Sequence, residues 1–235
     1  MDYETLSNCF VGVFTHYKTE ETKIFSICKL QNDFDKFIEF LKENISNKEW
    51  HISYNGLAFD AQITHYIIKE YENLKLMEGE EIAQEIYGCA QRCIEKSNAH
   101  EFQEFPEWHM SIKQIDVFKL NHWDNMAKRS SLKWIEYTMD WDNILDMPIH
   151  HETDINTQDQ LDLIIEYCIN DVELTYKLFH KLLRPQEEYA NSLYNQLVKN
   201  CYGIDYSYSS FLQKIKFILD YKTHIYLWEK SFGKS

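Results

Sequence analysis

The run CFVGVFTHY, residues 9–17, and the run KIFSICKL, residues 23–30, constrain this chain most. Both are β-branched and aromatic, both are too short for an ordinary helix, and a polar stretch at 18–22 separates them as a turn would. They read as two strands. Helical spacing follows: Phe34, Phe37, Ile38 and Leu41 predict a helix over 34–44, with Asp33 as its cap. A short strand at 50–54, a turn at Asn55 and Gly56 and a helix over 58–71 come next. Then the pattern predicts a helix at 79–96, a loop at 97–109, a strand at 112–118 and a helix from Ser130 or Ser131 to about 139. An acidic connection covers 140–158. A strong helix fills 158–183, Pro185 breaks it, and a second helix covers 187–200. Residues 201–235 are the least readable, with a helical pattern at 209–229. Strands first, then helices alternating with further strands, imply an α/β layout: a central mixed sheet flanked by helices.

The 235 residues, 44% of them hydrophobic and 15% aromatic, suffice for one globular domain with an appendage. The expected division is 1–185 and a helical extension, or the start of a following domain, at 186–235. No apolar run approaches the roughly 18 residues of a membrane span. The polar, acidic start predicts no secretory leader, hence a cytoplasmic protein, or one of the host cytoplasm if the gene is viral. In such a reducing compartment the six cysteines are expected as free, mostly buried thiols. Cys89, Cys93, His100 and His109 could form a zinc site, but the spacing is not a standard one.

Net charge is −14. That argues against binding nucleic acid by broad phosphate neutralisation and leaves room for divalent metal held by clustered carboxylates. Three places carry such carboxylates. Asp2 and Glu4, on a strand, would point to one face, where two like charges need a cation between them. Asp60 closes the segment Asn55, Gly56, Leu57, Ala58, Phe59, Asp60, where a strand ends, a glycine turn follows and an acid opens a helix. Tyr167 and Asp171, four residues apart, share a face of the long helix, at the border of a stripe of Leu163, Ile164, Tyr167, Leu174 and Leu178. Each feature alone is most simply a solvated or paired acid; the three in this order are far more specific.

Together they resemble the DEDD-type 3′–5′ exonucleases of ribonuclease H-like fold, in the subclass whose third motif is Tyr-x-x-x-Asp. Asp2 and Glu4 match the first motif, Asn55, Phe59 and Asp60 the second, Tyr167 and Asp171 the third. Ser131, Leu132 and the apolar Ile135 match a further motif found in the exonuclease domains of family B DNA polymerases, especially protein-primed phage enzymes. The resemblance covers roughly residues 2–183.

The resemblance implies a proofreading or replication-associated hydrolase. It would release nucleoside 5′-monophosphates from a single-stranded DNA 3′ end with two Mg²⁺ or Mn²⁺ ions held by Asp2, Glu4, Asp60 and Asp171. Tyr167 would orient the attacking water. Thr5, Leu6, Asn55, Phe59, Ser131 and Leu132 would hold the strand, with Lys128, Arg129 and Lys133 as the only compact basic cluster against its backbone. A DNA polymerase domain or a replication protein is the implied partner; no membrane is. Two departures matter. Only Met1 precedes Asp2, which would set an α-amino group within a few ångströms of a metal ligand. The catalytic-site lysine that protein-primed polymerases carry shortly before the third motif has no counterpart at 140–158, where His150 and His151 stand instead. The alternative is a catalytically impaired module on the same fold that binds nucleic acid or a replication partner.

Overall fold

The computed structural model describes residues 1–121, 130–139, 141, 147–150 and 153–202, with 121 and 183–202 as backbone alone. It is a mixed α/β structure. Strands β1 (Asp2–Leu6), β2 (Cys9–Thr15) and β3 (Thr22–Cys28) form an antiparallel sheet in that order. A helix, α1 (Phe34–Ser46), leads to β4 (Trp50–Ser53), which pairs in parallel with β5 (Lys113–Asp116). Between those two strands lie a 3₁₀ turn (Gly56–Ala58), α2 (Asp60–Lys69), α3 (Tyr71–Leu74), α4 (Gly79–Asn98) and a second 3₁₀ turn (Glu107–His109). Three more helices follow: α5 (Val117–Asn121), α6 (Leu132–Thr138) and α7 (Gln158–Tyr202). The Met1 amino group donates to Ile52 O at 2.8 Å, so the start of β1 lies beside β4.

The two strand runs have no polar face because both faces of their sheet are covered. Tyr3, Phe10, Phe14, Phe25 and Ile27 enter one core, with α1, α2 and α4. Leu6, Cys9, Val11, Val13 and Cys28 enter a second, with Leu161, Ile164, Cys168 and Val172 of α7. Alternation along a strand then fixes the site: Asp2 and Glu4 share the face of Leu6, and that face meets α7. Gly12 lies opposite Tyr3, and a Cβ there would stand 3.1 Å from the Tyr3 ring. The bare backbone lets that ring lie flat enough for its hydroxyl to reach Thr64 Oγ1 at 2.7 Å, which ties β1 to α2.

Four expectations are corrected. Asp33 precedes α1 without capping it; its carboxylate accepts from Ser26 N, Gln31 Nε2 and Lys36 Nζ instead. The strand ends at Asp116, because the Asp116 side chain accepts from Phe118 N at 3.0 Å and starts a helical turn. The buried stripe of α7 is rotated: Leu163 is 45% exposed, and Cys168, which the expected stripe did not include, is fully buried. Finally, α7 runs through Pro185. Proline removes one donor, while the neighbouring turns keep their own bonds. Cys89 and Cys93 pack in the first core, and among the described residues no metal-ligating group joins them to His100 and His109. The segment 203–235, with its helical pattern at 209–229, lies outside the described residues.

The chain divides into two compact units, Met1–Lys177 and Leu178–Ser235. The site lies in the first. Cys9, Cys28, Cys89, Cys93 and Cys168 are buried free thiols. No helix among the described residues is long and apolar enough to cross a membrane.

Candidate functional site

One cleft of about 1150 Å³ receives Asp2 and Glu4 from β1, Asp60 from α2 and Asp171 from α7. Asp60 opens α2 and is 2% exposed; Asp171 is 8% exposed. Asp60 Oδ1 and Asp171 Oδ1 are buried and have no hydrogen-bond partner among the described residues. The Tyr3 backbone beside Asp60, and the Tyr167 and Asn170 side chains beside Asp171, favour the charged form of each carboxylate.

Carboxyls facing one cleft, with Asp60 and Asp171 buried and Asp2 and Glu4 half-buried, resist ionisation. Burial, then the charges of Asp60, Glu4 and Asp171, push Asp2 well above the ordinary carboxylate range. Burial, then Asp171 and Asp60, push Glu4 up to about 8. Burial first lifts Asp60 to about 7 and Asp171 to about 6. The Met1 amino group partly offsets this at Asp2 and Asp60; burial lowers its own pKa. A low-dielectric cluster of anions with unpartnered oxygens is what a divalent cation relieves, and the oxygens of the four carboxylates fit hard ions such as Mg²⁺ or Mn²⁺.

Burial, followed by the charges of Asp171, Glu4 and Asp2, drives the Tyr167 phenol far up. A phenol held in this way keeps its proton and is suited to donate a hydrogen bond, not to act as a base. Lys133 lies 4.8 Å from the Tyr167 ring centroid. Its charge lowers the pKa of Glu4 and of Asp171. Lys133, expected against the phosphate backbone, stands beside the carboxylates. It is held by Glu136, fully buried, at 3.1 Å. Glu136 accepts from Asn170 Nδ2 at 3.1 Å, and Asn170 accepts from Trp141 Nε1 at 3.0 Å. The chain lacks a lysine at 140–158, yet an ammonium stands at the site from α6.

The strand-turn-helix segment is shaped by Asp116, which the sequence reading missed. Asp116 Oδ1 accepts from Asn55 N at 2.9 Å and Oδ2 from Leu57 N at 3.2 Å. Those bonds hold Asn55 in the left-handed region, φ 60°. At Gly56 a Cβ would fall 1.8 Å from Ser53 Oγ, so only glycine lets the turn close over β4 and deliver Asp60. The available signal was an acid at the end of a strand running parallel to the one before the turn.

Asn55 and Phe59 line the cleft, as do Ser131 and Leu132. Ser131 caps α6 by accepting from Trp134 N at 3.2 Å, and Tyr54 Oη donates to Ser130 O at 2.6 Å, which fastens that helix start beside β4. Two expected strand contacts differ. Leu6 is fully buried in the second core, because alternation puts it on the α7 face, and the half-buried Thr5 does not line the cleft. Lys128, Arg129 and His151 lie outside the described residues. His150 is exposed and away from the cleft.

The far rim comes from the loop after α4. Gln62 anchors that loop, donating to Phe105 O at 2.9 Å and accepting from Phe105 N at 3.0 Å. Gln103 donates to Cys93 O and Ser97 Oγ. Just before these anchors Phe102 is 97% exposed at the cleft mouth, a contribution no sequence signal announced.

No family model, curated protein or solved structure matches this chain.

Proposed function

We propose that this protein is a metal-dependent 3′–5′ exonuclease on single-stranded DNA ends, built on a ribonuclease H-like fold. The observation that carries the reading is the meeting of four carboxylates, from segments as distant as residues 2 and 171, in one cleft with two buried oxygens left unpartnered. Asp2, Glu4, Asp60 and Asp171 would hold Mg²⁺ or Mn²⁺, which supplies activation of a water and stabilisation of the leaving 3′ oxygen. A sheet with helices on both faces, and motif residues on strand, turn and helix, supports the fold assignment.

The chain's own residues supply the rest. Tyr167, on the same helix as Asp171 and with Lys133 over its ring, would keep its proton and orient a water. Lys133 offsets part of the carboxylate charge where a phosphate must approach. Ser131, Leu132, Asn55 and Phe59 form one wall for the strand end, and Phe102 offers a base-stacking face on the other. The cleft exceeds the roughly 300–1,000 Å³ of small-ligand sites, as a polymer end requires.

The test uses 5′-labelled single-stranded DNA with Mg²⁺ or Mn²⁺. The expected result is a ladder shortening from the 3′ end that disappears in Asp171→Ala. Strand binding without shortening under either metal would overturn the exonuclease and leave a binding module. A matching RNA in parallel decides the sugar.

A further inference from the structure

The thiol of Cys168 belongs to no step above, yet it faces the same centre. Its sulfur donates to Asp2 O at 3.4 Å and lies 3.7 Å from Asp2 Oδ2. Donor atoms of Asp2, Glu4 and Cys168 all lie within 4.8 Å of one another. A core cysteine packed for its volume alone would face carbon. This one is fixed by the α7 packing with its sulfur against a carboxylate oxygen.

That spacing has a chemical meaning. Around tetrahedral zinc, a sulfur at ~2.3 Å and an oxygen at ~2.1 Å stand roughly 3.6 Å apart. The observed 3.7 Å between sulfur and Oδ2 needs almost no adjustment. A second observation is independent of the cluster: Asp60, 2% exposed and with its Oδ1 unpartnered among the described residues, lines the same cleft as Asp2 and Glu4. Hard Mg²⁺ ignores sulfur, whereas Zn²⁺ and Cd²⁺ prefer it, and Zn²⁺ outranks Mn²⁺ on nitrogen, oxygen and sulfur ligands alike.

We propose that Cys168 makes this carboxylate centre a trap for soft divalent ions: Zn²⁺ or Cd²⁺, held by Asp2, Glu4 and the Cys168 sulfur, displaces the hard ions and blocks the cleft. The S–H bond breaks, its proton leaves to solvent, and the sulfur lone pair passes into the metal bond; nothing is oxidised or reduced. The blocking half rests on the nuclease reading; the binding half does not.

The experiment titrates the full chain with Cd²⁺ and follows the ultraviolet sulfur-to-cadmium charge-transfer band. The wild type should show a band saturating at one ion that Cys168→Ser lacks, and Glu4→Gln, which keeps the thiol, should weaken that ion at least about tenfold. An undiminished band in Cys168→Ser that disappears in Cys89→Ser/Cys93→Ser would place the ion on α4 and overturn the proposal. So would no effect of Glu4→Gln. The second readout is Zn²⁺ inhibition of Mg²⁺-supported strand shortening. An inhibitory concentration equal in Cys168→Ser and wild type overturns the blocking half. A Cys168-dependent band in a chain that shortens no strand leaves the metal site standing and removes the nuclease reading.

Discussion

Raising pH from 6 to 8 without metal should destabilise this protein, and a divalent ion should reverse the trend. Glu4, Asp60 and Asp171 have folded-state pKa values of about 8, 7 and 6, above the ordinary 4.5 for Glu and 3.8 for Asp. In that window the folded chain keeps protons that the unfolded chain has released. The stabilisation is fully present below the unfolded values and is lost as pH rises through the folded ones. At about 1.4 kcal/mol per unit, Glu4 loses between 2 and 3 kcal/mol across the window and Asp60 about 1. His51 works the other way: burial lowers its pKa to about 3, so the unfolded chain takes up its proton near pH 6 and stability gains about 1 kcal/mol on going to pH 8. The carboxyls share one field and are not additive, so the net loss is about 3 kcal/mol, or roughly 6–12 °C in Tm for a chain this long. Differential scanning fluorimetry in chelator, then in excess Mn²⁺, is the assay. Ion binding requires the carboxyls to shed those protons, so the Mn²⁺ shift should be larger at pH 8 than at pH 6. A metal-free Tm that holds or rises from pH 6 to 8, or a Mn²⁺ shift equal at both, would refute the mutual repulsion on which the site rests.

Asp60→Asn removes one of the repelling charges. At pH 8 it should stabilise the metal-free chain by about 1–3 kcal/mol, while thermal unfolding shows no Mn²⁺ shift and strand shortening is lost. Asp116→Ala strands the amides of Asn55, Leu57 and Phe118 and should cost about 2–4 kcal/mol by urea unfolding, most of it recovered in Asp116→Asn if the bonds and not the charge matter. Phe102→Ala should leave Tm unchanged, because the ring buries nothing, and weaken single-strand binding by about 1–3 kcal/mol in fluorescence anisotropy; unaltered affinity would remove the stacking role.

The sequence by itself determined the local pieces. Strand runs without a polar face, the Asn55 and Gly56 turn and the Ser131 cap follow from nearest-neighbour rules, where periodicity and turn chemistry act within a few residues. What it left open depends on direction. Whether Asp2 and Glu4 look toward α7, or Leu6 toward a substrate, is fixed by which sheet face the helix covers. Leu163 turns outward and Cys168 inward because packing against Val11 and Val13 rotates α7 away from the average stripe. Lys133 is basic in either reading, but only its contact with the buried Glu136 and the approach of Tyr167 decide that it serves the carboxylates. Asp116, Cys168 and Phe102 gain their parts from groups 43 to 166 residues away or from no group at all. Long-range proximity is set by the sum of the packed faces, and no short window of sequence contains that sum.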